Sequence, residues 1–454
     1  MHRHQDKLTQ MLLESKSYSI QYQSYLLINQ EEFQVLPEQD QTMIQTYINR
    51  INNGTLILAQ TPQLISFQFV RHLDIFQLAL YYFDILFPEL QSQTIKVLYL
   101  QDSKFSSIKK FKLDNLEVLI FWEKQCQSKE IYKQMLLEII NQFPKLKELT
   151  LCGWHIDRAL SKMTYLTNLT LLGCDLDSEV LQSLVNLHEL SLDQTYSIKL
   201  STLQYLTQLT TLYLNYKFEN IPQSDFTSLS FLTRLTRLQI DYCYLSRLDF
   251  LHPLINLVEL SLYNNYLTDI SSISSLKQLT VLKMVKCGLI NIDALRSLSN
   301  LVELHLNEND GINITPLQYL TKLTKLGLKR CGLTNLDALK PLINLQQLHL
   351  NVNKRIDITH LQHLTCLTTL WLKECGLINL DVLRPLTKLY DLQVPQNQIV
   401  YLQPLCELKQ LKSFSQFLIR QQMYKHSKKI VLTINVSDMV VKNNLHIKSL
   451  KWLI

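Results

Sequence analysis

Two histidines, His305 and His349, stand 44 residues apart, and a second pair, His360 and His363, stands three apart. Imidazoles can hold a metal ion or move a proton, but both tasks need a carboxylate, thiol or further imidazole at ligand spacing. Neither pair has one, so all four read as satisfied or solvent-facing side chains. Four cysteines recur every 44 residues, Cys243, Cys287, Cys331 and Cys375, and alternate with Asn265, Asn309, Asn353 and Asn397. If the units that carry them stack as strands, successive thiols lie roughly 10 Å apart, too far for a disulfide or a shared metal. They read as buried stand-ins for asparagine. The chain has no phosphate-cradling glycine loop, no H-E-x-x-H and no nucleophile elbow. Catalysis and cofactors are therefore not expected. The remaining chemistry is recognition: Tyr213, Tyr216, Tyr242, Tyr263 and Trp371 are large amphipathic anchors, interspersed with Lys283, His305, Arg330 and His349.

What must position them is a repeat. Leucine returns every 22 residues at Leu235, Leu257, Leu279, Leu301, Leu323, Leu345, Leu367, Leu389 and Leu411. Each return opens one phrase, as in LTVLKMVKCGL at Leu279 and LTTLWLKECGL at Leu367. A fixed period of this size means a solenoid, in which each unit buries its apolar face against its neighbours. The unit reads L-x-x-L-x-L-x-x-(N/C)-x-L, then a polar turn, then a segment such as IDALRSL. The L-x-L alternation predicts a short strand with its leucines on one face. The three-residue spacing of Ile292, Leu295 and Leu298 predicts a 3-10 or short helical return. Side chains at positions 2, 3, 5, 7 and 8 then project from the strand face, and the anchors above occupy such positions.

Weaker copies start at Ile75, Ile95, Leu116, Leu146, Leu166, Leu187 and Leu209, which makes about sixteen units with those downstream. The long step after Leu116 carries KEIYKQMLLEIINQF, whose apolar spacing predicts an α-helix. Alternation of cysteine and asparagine makes the unit of descent a pair of repeats. Residues 1–53 are Gln-rich, with a helix predicted after Pro37 and ended by Gly54, and read as an amino-terminal cap. The solenoid is expected over 54–419, with TLIL as its first strand, and the lysine-rich 420–454 as a second cap or tail.

The composition fits one long core: hydrophobic residues make up 46% of 454, and the net charge of +6 is too mild to name nucleic acid or membrane as partner. No apolar leader or membrane-length stretch is visible, and the nine cysteines are odd in number. The reading is a soluble, cytoplasmic or nuclear, monomeric protein. Charges on the strand face interleave, with Glu303 expected beside Lys325 and Glu308 beside Arg330 as lateral pairs. A nucleic-acid groove would want an unbroken basic stripe instead.

The nine in-phase returns resemble the leucine-rich repeat family, in its short 22-residue class. That class includes the leucine-rich-repeat regulatory subunit of protein phosphatase 1 and the internalins. The Gln-rich ends and near-identical double repeats also look like members of expanded protist leucine-rich repeat families. The resemblance implies an α/β horseshoe, with parallel strands on the concave face and short helical or 3-10 turns on the convex face. It further implies a non-catalytic scaffold that binds a protein partner on the concave face. A phosphatase regulatory subunit and a surface adhesin of internalin type are the alternatives. The phosphatase subunit uses acidic and aromatic concave residues, which Glu259, Glu303, Tyr263 and Trp371 match and the basic stripes break.

Overall fold

The computed structural model describes residues 55–58, 72–76, 90–91, 96–101, 111–122, 129–195, 198–215 and 222–415. The expected caps, 1–53 and 420–454, lie outside the described residues, as does Tyr216. The chain divides into two compact units, Met1–Leu209 and Thr210–Ile454.

In the first unit, parallel strands follow one another in chain order: Thr55–Leu58, His72–Phe76, Val97–Gln101, Val118–Trp122, Glu148–Cys152, Asn168–Leu172 and Glu189–Asp193. TLIL is a strand, as expected. The unit containing Ile75 needs a correction in phase. Ile75 pairs with Leu100 and so sits at the sixth position of its unit instead of opening it. Ile75, Leu78 and Leu80 also satisfy L-x-x-L-x-L, so the pattern alone admitted two phases and only strand pairing separates them. The predicted helix forms over Lys129–Gln142. It buries Tyr132, Met135, Leu136 and Ile139, spaced three and four apart, along one stripe. Trp154 lies against it, its ring 5.0 Å from Tyr132 and edge-on to Phe121.

In the second unit the strands are Thr211–Asn215, Arg237–Asp241, Glu259–Ser261, Val281–Lys283, Glu303–His305, Lys325–Gly327, Gln347–His349, Thr369–Trp371, Asp391–Gln393 and Ser413–Ser415. Each pairs in parallel with the next, and equivalent repeat positions face one another, as in Leu282↔Leu304↔Leu326↔Leu348. Leucines at the first, fourth and sixth positions are buried, while the third, fifth and seventh positions open to solvent, with buried Thr211, Asp241 and Gly327 as exceptions. The return segments are 3-10 turns, among them Asp293–Ser297, Thr315–Tyr319 and Thr359–His363. Their first amides are held by a polar residue two positions earlier. Asn291 Oδ1 accepts from Asp293 N at 2.7 Å, and Asp357 Oδ1 from Thr359 N at 2.9 Å. Ile292, Leu295 and Leu298 are fully buried on the inner side of one such turn.

The ninth position explains why repeats come in pairs. Asn309 is completely buried. Its Nδ2 donates to the carbonyls of Met284 and Leu306, both at 2.8 Å, and its Oδ1 accepts from the amides of Cys287 and Leu289 at 2.9 and 3.1 Å. Asn265 and Asn353 repeat this arrangement. A cysteine offers only one weak donor and a weak acceptor, and here it donates: Cys331 Sγ reaches the Leu306 carbonyl at 3.3 Å. Where a cysteine unit follows, the amide two past the asparagine turns to its backbone carbonyl, as in Gly311 N to Cys331 O at 3.1 Å. Burial pushes the thiols of Cys287, Cys331 and Cys375 up to about 12, 11 and 11, so they are inert hydrogen-bond donors.

A second regularity sits beside the first. The eighth position is left-handed in eight successive repeats, at Tyr242, Asn264, Lys286, Glu308, Arg330, Val352, Glu374 and Gln396, with φ between 53° and 64°. Only the asparagine is naturally suited to this region, and the β-branched Val352 is the least suited. The chain tolerates the strain because the amide of the eighth position is needed to bond the next repeat, as Lys286 N does to Asn307 O at 2.8 Å.

Candidate functional site

The strands hold the anchor residues because inward leucines leave the alternate positions facing solvent. Tyr213 lies half-buried on Thr211–Asn215, and Tyr242 is exposed at the end of the next strand. Tyr242 and Tyr263 meet with ring centroids 5.0 Å apart. The neighbouring Tyr263 hydroxyl raises the Tyr242 phenol above its ordinary value. Lys283 and Arg330 are exposed, and His305, His349 and Trp371 are half-buried.

His349 and Trp371 stack flat, 3.9 Å apart with planes 6° from parallel, on adjacent strands in direct register. The indole Nε1 donates to Asp391 Oδ2 at 2.8 Å, so the Trp371 ring is locked on both sides. Burial depresses the His349 pKa below its ordinary value, assisted by His305, while Asp391 opposes the shift. His305 instead bonds Glu303 at 2.8 Å. Glu303 also pairs with Lys325 at 3.2 Å, as the repeat spacing predicted. Burial works to raise the Glu303 carboxyl, but His305 and Lys325 outweigh it and hold the group below its usual range.

His305 and His349 do not meet. Gly327 lies between them in register, and a Cβ there would come within 3.0 Å of His305 Nδ1 and within 2.8 Å of the Asn307 amide. Glu308 pairs with Lys329 at 3.2 Å and not with Arg330. Arg330 occupies the left-handed eighth position, whereas Lys329, two residues past the strand, is held one unit from Glu308 by its amide, which donates to Asn307 Oδ1 at 2.8 Å. His360 pairs with Asp337 at 2.7 Å among the 3-10 turns, away from the strand face.

Three residues escaped the sequence reading. Asp241 is 8% exposed, and burial pushes its carboxyl above its ordinary range. It accepts from Tyr263 N at 2.7 Å, Ser261 Oγ at 2.9 Å and Gln239 Nε2 at 2.7 Å. Tyr244 and Tyr266 form a second aromatic pair, 5.6 Å apart and nearly parallel. Tyr244 could have been found by alignment of the cysteine repeats, since its position is glycine in the other three: Gly288, Gly332 and Gly376. All four have positive φ. Among the described residues, no group of three or more His, Cys, Asp or Glu side chains could hold a metal ion. No described helix is long and apolar enough to cross a membrane.

No family model matches the chain, and no curated protein does. Solved structures do. An internalin from Listeria monocytogenes matches at 25% identity over 72% of this chain and 86% of its own, with a TM-score of 0.54. A leucine-rich repeat protein from Leptospira interrogans matches at 22% identity over 79% of this chain and 95% of its own, with a TM-score of 0.59. The functional domain of InlJ from Listeria monocytogenes, which includes a cysteine ladder, matches at 22% identity over 64% and 69%, with a TM-score of 0.50. Together with the paired strands, the 3-10 returns and the buried ninth-position side chains, these likenesses show that the chain has the leucine-rich repeat solenoid fold.

Proposed function

We propose that the chain is a non-catalytic scaffold whose strand face holds a protein partner. The observation that carries this reading is two aromatic pairs on the strand face: His349–Trp371 on register-locked strands, and Tyr242–Tyr263 just past the ends of two adjacent strands. Their burial is not required for the core, which inward leucines already fill. Rigid aromatic anchors lose little side-chain entropy on binding and so favour a docking role. The reading includes a monomer in a reducing, intracellular compartment, where free thiols can serve as buried hydrogen-bond donors.

The test is affinity capture from native cells with wild type and with a Tyr213→Ala, Tyr242→Ala, Tyr263→Ala, Trp371→Ala variant, whose fold is verified by circular dichroism. Loss of a partner from the variant supports the reading, and an identical set of partners refutes it. A surface adhesin of internalin type is the second reading, favoured by the internalin likeness at 25% identity. Recovery of the chain from the cell exterior, with glycan or solvent label on surface positions, would favour it over the intracellular scaffold.

A further inference from the structure

The charges on the strand face of the second unit are not balanced. Its carboxylates are engaged: Glu259 by Arg237, Glu303 by Lys325, Glu308 by Lys329, Glu374 by Lys373, and Asp391 by Trp371 and Gln393. Asp241 is consumed by Tyr263, Ser261 and Gln239. Three exposed cations on the same face, Lys283, Lys286 and Arg330, form no ion pair among the described residues. Lys283 feels the charge of Asp241, but that carboxylate is already saturated by neutral donors. A face with its acids neutralised and its surplus cations exposed complements an acidic partner.

The double repeat also sets the spacing. Tyr242, Lys286 and Arg330 occupy the eighth position of three successive cysteine repeats, and Trp371 stands on the strand of the fourth. Two strand steps of about 4.8 Å separate Tyr242 from Lys286 and Lys286 from Arg330, roughly 10 Å each, while Trp371, at the fifth position, is set back along its strand from the eighth-position row. A polyproline-type extended chain advances about 3.1 Å per residue with a three-residue turn, so every third side chain recurs on one side at roughly 9 Å. The two periods agree.

We infer that the strand face binds an extended acidic polypeptide segment, with two acidic side chains three residues apart over Lys286 and Arg330. A large apolar residue three positions from the first acid rests on the Tyr242–Tyr263 pair, and one further along the segment past the second acid reaches the His349–Trp371 stack. Lys283 adds a third cation beside the first acidic contact. Tyr244 supports the same end. It keeps a tyrosine in a left-handed conformation (φ 54°) that its sister repeats give to glycine, and spends the strain on a stack with Tyr266. This inference rests on the strand face being the partner surface.

Selection of displayed random dodecapeptides on the immobilised full chain tests it. The expected result is enrichment of Asp or Glu at two positions three apart, flanked by aromatic or large aliphatic residues. A selected peptide should bind a Lys283→Gln, Lys286→Gln, Arg330→Gln variant roughly tenfold or more weakly, and its affinity should fall with salt. These surface changes leave the leucine core untouched, and circular dichroism verifies the fold. A neutral or basic consensus, no consensus, or equal affinity for the variant overturns the inference. So does tight binding of oligothymidine that the same variant loses, which would make the ligand a nucleic acid. If the tyrosine and tryptophan variant loses its cellular partner while the cation variant keeps it, this inference fails and the scaffold reading stands. If neither variant loses a partner, both fail.

Discussion

Asn309 and Cys331 occupy the same repeat position one unit apart, and their replacement by alanine should have very different consequences. Asn309 is fully buried and serves five backbone groups, one of them, the Asn307 carbonyl, only at 3.4 Å and also held by Lys286 N. In Asn309→Ala the Leu306 carbonyl keeps a partner, Cys331 Sγ at 3.3 Å. The amides of Cys287 and Leu289 and the carbonyl of Met284 lose the side chain that satisfies them. Each orphaned buried group costs about 1–3 kcal/mol, so with three of them the substitution should destabilise the neighbouring repeats by about 3–9 kcal/mol. Cys331→Ala removes one weak donor, and the Leu306 carbonyl retains Asn309 Nδ2 at 2.8 Å. The lost sulfur packing costs about 1 kcal/mol. Urea unfolding followed by far-ultraviolet circular dichroism, with hydrogen exchange to localise the loss, reads both. A repeat array need not unfold in one step, so the exchange rates of the amides at Cys287 and Leu289 are the decisive quantity. Equal destabilisation by the two variants, or unchanged exchange at those amides in Asn309→Ala, would refute the reasoning.

The other expected outcomes follow from the same strands. Val352 is β-branched at φ 64°, so Val352→Asn should stabilise by about 1 kcal/mol, seen as a higher urea midpoint at unchanged slope. Asp241→Asn keeps the acceptor for Tyr263 N, as Asn307 and Asn351 do for Lys329 N and Lys373 N. The wild-type carboxyl is raised above its ordinary value of 3.8 by burial, so the folded chain binds that proton more readily than the unfolded chain. Its contribution therefore weakens as pH rises from 3.8 through the folded value, and the variant should gain on wild type over that window and hold the gain at neutral pH. Matched denaturation curves in acid and at neutral pH check the sign. Finally, a thiol reagent should modify exposed Cys406 in the folded chain and reach Cys287, Cys331 and Cys375 only on unfolding, which a two-phase absorbance trace would display.

Much of this was legible in the residues. The leucine period of 22 by itself determined the solenoid, the strands, a short tight return of 3-10 or helical type and which residues face inward, because local periodicity and burial act on every unit alike. The same regularity read the ninth-position cysteines as buried substitutes for asparagine. Where the repeat decays, as at Ile75, two phases fit the pattern and strand pairing had to choose. Only the tertiary structure decided what happens between side chains of different units. It paired Glu308 with Lys329 instead of Arg330, kept His305 from His349 by Gly327, buried Asp241, and placed eight residues in a left-handed turn. Those outcomes depend on the direction in which each Cβ leaves the backbone, and on distances of a few ångströms across neighbouring strands. A pattern of residue types carries neither, which is why the fold could be read from the letters and the chemistry of its face could not.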